Sequence, residues 1–223
     1  NLKDFKKLIK KSKIVNRYFF EAFMFQYHKQ YEILKKLLMK KKNGKILTLT
    51  ARFGYPHLNK DNIRYNKKLK GGSFFDIACY LVKFTYLMLG GNYKTISGNF
   101  NFEKKYNVDI SGNILINFKS KQTAFLDWGI GRSYLNHVDI WTENYRFIAE
   151  RFFSKPENLN TQIKKIDTRG KITLIKVSNM NHFKAMFNEY HNIIRKNKFS
   201  KYLNSMKYYQ NFYFKIYKTL TKK

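Results

Sequence analysis

Apolar residues recur at helical spacing through the first 45 residues of the chain. The set is Leu2, Phe5, Leu8, Ile9, Phe19, Phe20, Phe23, Met24, Tyr27, Tyr31, Leu34, Leu37 and Leu38. Lysines at 40–42 and then Gly44 are typical of a helix end, because cations and a glycine cap suit the last turn. The pattern predicts a helical segment over residues 1–45.

The middle of the chain predicts another helix and several short strands. Ser73 is placed as a helix N-cap, with Asp76 three residues on, and Gly90-Gly91 ends the apolar stretch. Alternating or β-branched stretches predict strands at 45–50, 93–97, 107–118, 122–128, 134–140 and 171–177. Helical spacing predicts helices at 73–89, at 143–153 and from 180 to the end.

Together these elements predict an α+β fold. A helix packs on a mixed or antiparallel sheet, and long basic helices flank this unit at both ends. We expect three parts: a basic helical extension and loop over 1–70, an α+β core domain over 71–178, and a basic helical extension over 179–223. The stretch 52–70 is rich in Asn, Lys and Arg and is predicted to be a loop.

The chain is strongly basic. It has 45 Lys and Arg against 14 Asp and Glu, a net charge of +31 over 223 residues. Such charges repel one another unless a polyanion lies beside them. Apolar residues make up 43% of the chain and aromatic residues 18%, too much for a disordered basic tail. No run of about 18 apolar residues stands out, so we expect no membrane insertion and favour nucleic acid as the partner.

Residues with catalytic or metal-binding chemistry are scattered. The P-loop spacing and the dinucleotide-binding Gly-x-Gly-x-x-Gly spacing are both missing. Gly129-Ile130-Gly131-Arg132 lacks the third glycine and predicts a turn at a strand end. The single cysteine, Cys79, cannot build a structural zinc site and is predicted to be a small core residue. We therefore expect no enzyme, no catalytic residue, no metal and no cofactor.

Basic side chains form clusters that suit phosphate binding. Lys and Arg neutralise phosphates and release counterions, and nearby Tyr and Phe can stack on unpaired bases. The predicted RNA-binding residues lie in the 52–70 loop, at strand ends and in the C-terminal helix: Lys60, Arg64, Lys67, Lys68, Lys70, Lys119, Lys121, Arg132, Arg195, Lys196, Lys198 and Lys201.

Motifs in the central segment carry a resemblance to a known family. In order they are Ser73-Phe74, Gly90-Gly91, a strand running into Ser97-Gly98, then Trp128, Gly131-Arg132, Leu135, Asp139, and the strand from Gly170 to Val177. This order resembles the C-terminal domain of small-subunit ribosomal protein three, in a divergent or split mitochondrial form. The chain departs from that family by insertions before Trp128 and over 141–168.

The resemblance implies a structural constituent of the ribosome in the mitochondrial matrix, in the head of the small subunit near the mRNA entry region. Its partners would be rRNA, neighbouring ribosomal proteins and mRNA at the entry channel. Two alternatives stay open. One is a basic accessory subunit of an organellar membrane complex, whose Lys-rich helices would lie on a bilayer. The other is an RNA-processing enzyme, which would need clustered acids to hold a metal.

Overall fold

A computed structural model describes residues 2–221. Its helices are α1 (Leu2–Ile14), α2 (Lys29–Leu38), α3 (Cys79–Leu89), α4 (His182–Arg195) and α5 (Phe199–Leu220). Its strands are β1 (Ile46–Tyr55), β2 (Tyr93–Glu103), β3 (Val108–Phe118), β4 (Thr123–Ile130), β5 (Leu135–Thr142), β6 (Tyr145–Glu150), β7 (Thr161–Asp167) and β8 (Ile172–Val177). The fold is α+β, as the sequence predicts.

All eight strands form one sheet, in the order β2-β3-β4-β1-β5-β6-β7-β8. Neighbouring strands are antiparallel except β1 and β4, which run parallel with Tyr55 opposite Ile130. The sheet is therefore mixed. Because β1 lies between β4 and β5, residues from the first part of the chain belong to the same sheet as those of the middle part. The three-part division of the chain stays a prediction.

One face of the sheet is covered by helices. Along β1, Leu49, Ala51 and Phe53 are buried, whereas Thr50 and Arg52 between them are more exposed, because successive side chains point to opposite faces. The fully buried Leu81 and Phe84 of α3 belong to the same hydrophobic core. Helix α5 contributes to it as well, through side chains that include the fully buried Ile216. The C-terminal helix is thus part of the main core, and its description as a flanking basic extension is not confirmed.

The π-helical turn Phe74–Ala78 leads into α3 and is anchored by a buried acid of the sheet. Asp109 Oδ2 accepts hydrogen bonds from Ser73 Oγ and the Phe74 amide, both at 2.6 Å. Trp128 Nε1 in turn donates to Ser73 Oγ at 2.9 Å. The predicted capping role of Ser73 is therefore corrected: Asp109, from β3, caps the helix and Ser73 links it to β4.

The predicted helical segment over 1–45 is interrupted. Helix α1 ends at Ile14, and Asn16 leaves the helical conformation with a φ of 46°. Residues 17–23 are not helical. Their aromatic side chains pack on the C-terminal helices, and the Phe20 ring stacks on Tyr190 with centroids 4.2 Å apart. The apolar spacing there reflects contacts with distant helices and not one continuous helical face.

The helix predicted over 143–153 is wrong. Residues Tyr145–Glu150 form β6, which pairs with β5 and β7. Phe147 and Ala149 are fully buried and alternate with more exposed positions, the period of a strand. Strand β7 was not predicted at all, and β2 extends six residues beyond the predicted end at 97. Ser97-Gly98 therefore lies inside a continuous strand.

One stretch, Lys67–Leu89, passes a test of length and hydropathy for a membrane-spanning helix, with a mean hydropathy of 1.3. The sequence-based expectation that no stretch would do so is corrected. The result is weak evidence for a membrane, because a core helix passes the same test. Here Ile77, Leu81 and Phe84 are fully buried in the main core.

Candidate substrate site at the end of the sheet

A cavity of about 490 Å³ opens at the end of the sheet where the parallel strands β1 and β4 both finish. In sheets with parallel strands, ligands bind beyond the carboxyl ends of those strands, where neighbouring connections diverge. Strand β1 continues into a basic loop, while β4 turns back at Gly131. The predicted turn after Gly129 and Ile130 is confirmed. The cavity is lined by Met24, Phe53, Tyr55, Pro56, His57, Leu58, Arg64, Asp76, Tyr80, Tyr134 and Ser154.

Asp76 is the polar centre of this cavity. Its Oδ2 accepts a hydrogen bond from the Tyr55 hydroxyl at 2.7 Å and another from Arg64 Nε at 2.7 Å. The ion pair raises the pKa of Arg64, chiefly through its hydrogen bond to Asp76. Both partners of the ion pair are about one third exposed, so solvent reaches the carboxylate. The Asp76 carboxylate can therefore bind a ligand while the loop that carries Arg64 stays folded.

Tyr80 lies one helical turn after Asp76, so the two residues share a helical face. Burial is the main reason why the pKa of the Tyr80 phenol is raised, and the nearby Cys79 and Asp76 add to the effect. The hydroxyl is therefore protonated at neutral pH. Within residues 2–221 no hydrogen-bond partner is found for it, which leaves it available to a ligand in the cavity.

His57 is held at the mouth of the cavity by Tyr65. The Tyr65 hydroxyl accepts from the Leu58 amide at 3.1 Å and lies 3.2 Å from His57 Nδ1. The Tyr65 contact therefore fixes one edge of the His57 imidazole. A Cβ at Gly131 would overlap Nε2 on the other edge, so a side chain there would displace the imidazole.

The predicted RNA-binding residues do not form one surface. Arg64 lies in the cavity, bound to Asp76, and Arg132 pairs with Asp127 at 2.8 Å. Lys60, Lys67, Lys68 and Lys70 are exposed on the loop at the same end of the sheet. Lys119 and Lys121 lie on the β3–β4 turn, at the opposite end. Arg195, Lys196, Lys198 and Lys201 are exposed around the α4–α5 junction.

The sequence profile of the GFO/IDH/MocA C-terminal domain matches residues 31–147, more than half of the chain. The chain belongs to this family. The match includes β1, the basic loop, Asp76, Tyr80 and the strands β2 to β5, so it covers most of the cavity wall.

Curated relatives of the GFO/IDH/MocA chain are oxidoreductases. A dTDP-3,4-didehydro-2,6-dideoxy-alpha-D-glucose 3-reductase from Saccharopolyspora spinosa is 27% identical over 150 residues, which is 67% of this chain and 45% of that protein. A trans-1,2-dihydrobenzene-1,2-diol dehydrogenase from Xenopus laevis is 28% identical over 135 residues, 60% of this chain and 41% of that protein. The chain thus spans less than half the length of either relative.

Solved structures share the fold. A 3-ketoreductase from Actinomadura kijaniata in complex with NADP and TDP-benzene superposes with a TM-score of 0.85 at 20% identity, over 92% of this chain and 63% of that one. An aldose-aldose oxidoreductase from Caulobacter crescentus superposes with a TM-score of 0.76 at 16% identity, over 86% and 58%.

These findings overturn the ribosomal interpretation. The family match replaces the resemblance to small-subunit ribosomal protein three, whose motifs were short and whose Ser97-Gly98 lies within a strand. The relatives are enzymes, so the expectation of a non-enzyme is wrong. The expected partners (rRNA, ribosomal proteins and mRNA), the mitochondrial ribosome and the alternative of a membrane-complex subunit have no support among the relatives.

Ligand binding by Lys60 and the other named cations stays a prediction, and the expectation of an rRNA partner is wrong.

Residues 2–221 do not form the glycine-rich turn of a Rossmann-type dinucleotide site. That turn lies between a strand and a helix, so that the pyrophosphate meets the helix N-terminus. Gly129 and Gly131 follow β4 but lead into a turn and then β5. Among the described residues no group of His, Cys, Asp or Glu suits a metal ion.

Sequence reasoning missed the two central residues of the site. The sequence pattern places Asp76 only at a helix start and gives no sign of a role for Tyr80. Asp76 lies four residues after Gly72, and Tyr80 lies four residues after Asp76. This spacing places a carboxylate and a phenol on one helical face, and it is the signal that could have found them.

Proposed function

We propose that the chain supplies the substrate-binding half of a sugar oxidoreductase, and that the sugar lies in the cavity beside Asp76 and Tyr80. The observation that carries the proposal is the placement of Asp76, Tyr80 and Arg64 together at the carboxyl ends of the parallel strands. The names of the relatives, which include a keto-sugar reductase, support the substrate class.

The lining suits a sugar. Sugar hydroxyls need donors and acceptors at close range: Arg64 donates, the Asp76 carboxylate accepts, and the His57 imidazole offers a further polar edge. The aromatic rings of Phe53, Tyr55 and Tyr80 supply apolar walls for the C–H faces of the ring. Cavities of a few hundred cubic ångströms, apolar with a few convergent polar groups, are typical small-molecule sites.

The chain's own residues can serve the oxygen of the reacting carbon. When a hydride supplied by a reduced nicotinamide adds to a ketone carbon, the carbonyl π bond breaks and the oxygen gains negative charge and then a proton. The protonated Tyr80 hydroxyl can donate a hydrogen bond to that oxygen as the charge develops. Asp76 holds Tyr55 and Arg64 in place around it. Tyr80 is therefore the group for which we propose contact with the reacting oxygen.

NMR of the chain carrying ¹³C in its tyrosine rings tests the proposal. Glucose and dTDP-glucose serve as probes, added separately. We expect at least one of them to shift the Tyr80 and Tyr55 signals in a saturable way, while Tyr208, 69% exposed on α5, stays unchanged. A Tyr80→Phe variant should bind several-fold more weakly. If neither probe moves the Tyr80 and Tyr55 signals, the proposal is wrong.

A further inference from the structure

A second cavity, of about 810 Å³, lies beside the proposed sugar cavity at the same end of the sheet. It is formed where β6 ends, β7 begins and β8 ends, and its lining includes Arg151, Asn160, Thr161, Lys176 and Ser178. Arg151 connects the two cavities. Its guanidinium lies 4.1 Å from the ring centroid of Tyr134, and Tyr134 lines the sugar cavity.

The polar groups of this second cavity suit an anion. Arg151 and Lys176 line it against one acid, Glu150. Lys29 adds a third cation next to the lining, because its Nζ donates to Ser178 Oγ at 3.0 Å. The Thr161 hydroxyl oxygen, in the wall of this cavity, is buried and has no hydrogen-bond partner among the described residues.

Arg151 is held in an uncommon backbone conformation. Its φ of 52° is in the left-handed region, which is unfavourable for a residue with a side chain. Such positions cluster at ligand sites, where the surrounding structure maintains them. No ion pair to Arg151 is found within residues 2–221. A guanidinium presents a planar edge of N–H groups that matches two phosphate oxygens.

We propose that Arg151 recognises the pyrophosphate of a nucleotide-linked sugar, whose sugar lies beside Tyr80 and whose nucleotide extends into the second cavity. This inference rests on the proposed function and narrows its substrate class. The size of the cavity agrees with it, since pockets of roughly 300–1,000 Å³ hold ligands as large as nucleotides. Arg151 then acts as a specificity residue that separates nucleotide-linked from free sugars.

Calorimetric titration of the chain with dTDP-glucose and with glucose tests the inference. We compare the wild type with Arg151→Gln, Arg151→Lys and a matched control, Arg169→Gln, in the exposed β7–β8 turn. Loss of charge-assisted hydrogen bonds to a phosphate corresponds to an affinity loss of about 10- to 100-fold. We expect that loss for dTDP-glucose with Arg151→Gln, a smaller one with Arg151→Lys, and none with Arg169→Gln. Glucose-induced shifts of the Tyr80 signal should be equal in all four proteins.

Two results would overturn the inference alone: Arg151→Gln binding dTDP-glucose as tightly as Arg169→Gln does, or the wild type responding to glucose and not binding dTDP-glucose. A wild type that responds to neither probe would instead overturn the proposed function and the inference with it. Thermal unfolding of each variant identifies any general loss of folding, and Arg151→Lys keeps the test valid if Arg151→Gln unfolds.

Discussion

Tyr55 donates its hydroxyl hydrogen to Asp76 over 2.7 Å, which ties the end of β1 to the first turn of the central helix. Arg64 reaches the same carboxylate oxygen from the basic loop, also at 2.7 Å. Three separate segments of the chain therefore converge on one oxygen atom. This convergence shapes the cavity and leaves the Tyr80 hydroxyl beside it.

Replacing Asp76 by Asn should weaken sugar binding more than folding. The change removes the charge that holds Tyr55 and Arg64, but the ion pair is about one third exposed, so we expect a loss of only about 1 kcal/mol in the free energy of unfolding. Affinity for the better-bound of glucose and dTDP-glucose should fall about tenfold, which corresponds to one charged hydrogen bond.

Urea unfolding and calorimetry measure the two effects. The matched control is Asp127→Asn, because Asp127 forms a similarly exposed ion pair with Arg132 outside the cavity lining. Equal loss of affinity in both variants would show that Asp76 has no special role.

Ser73 should be important for stability. Its buried hydroxyl donates to Asp109 and accepts from Trp128. Ser73→Ala therefore removes one hydrogen bond from each of these two side chains. An unsatisfied buried polar group costs about 1–3 kcal/mol, and we expect a destabilisation in that range. Denaturant titration followed by Trp fluorescence measures it. Ser120→Ala, at an exposed turn, should change stability by less than about 0.5 kcal/mol; equal effects would contradict the account.

Glu21 and Lys83 form a buried ion pair at 2.9 Å, with exposed fractions of 13% and 8%. Glu21→Gln leaves the Lys83 charge buried between the rings of Phe23 and Tyr209, and removing one partner of such a pair costs about 3–5 kcal/mol. The double variant Glu21→Gln/Lys83→Met removes both charges and should recover much of that loss. A double-mutant cycle measured by denaturant unfolding checks this, and purely additive losses would refute it.

Stability should rise with pH between about 7 and 9 because of Lys155. Burial lowers the pKa of this amine from 10.5 to about 7. In that window the unfolded chain holds the proton and the native protein releases it. For one such group, the free energy of unfolding therefore rises by up to about 1.4 kcal/mol per pH unit. The groups that face the amine are the Phe152 carbonyl, at 2.9 Å, and the buried His28 and His182, which carry no negative charge.

Lys155→Met should flatten this rise and increase the free energy of unfolding at pH 7. Urea unfolding at several pH values between 7 and 9 tests it, with the partly exposed Lys164→Met as the control on β7. A slope that is unchanged in Lys155→Met would contradict the assignment.

Much of the sheet could be predicted, because alternation in β3 and β4 directly reflects one buried and one exposed face. The strand β6 could not, since Tyr145, Phe147 and Ala149 are spaced by two within a stretch that also suits a helix. The parallel pairing of β1 with β4 depends on contacts between residues far apart in the sequence, which local patterns do not contain.

The candidate site was harder to predict for a related reason. Arg64 was counted among basic residues for RNA, although its partner Asp76 is twelve positions away and its role depends on that contact. The large net charge directed attention to exposed lysines, whereas the cavity is built from an arginine, a carboxylate and several tyrosines. The net charge of the chain therefore does not predict which residues line the cavity.

The central claim is tested most directly by the affinity of the chain for dTDP-glucose in calorimetric titrations of three proteins: the wild type, Tyr80→Phe and a Lys119→Ala/Lys121→Ala double variant. The account predicts saturable binding at one site, several-fold weaker binding in Tyr80→Phe, and unchanged binding in the double variant, whose substitutions lie at the opposite end of the sheet. Binding that is lost in the double variant and kept in Tyr80→Phe would contradict it.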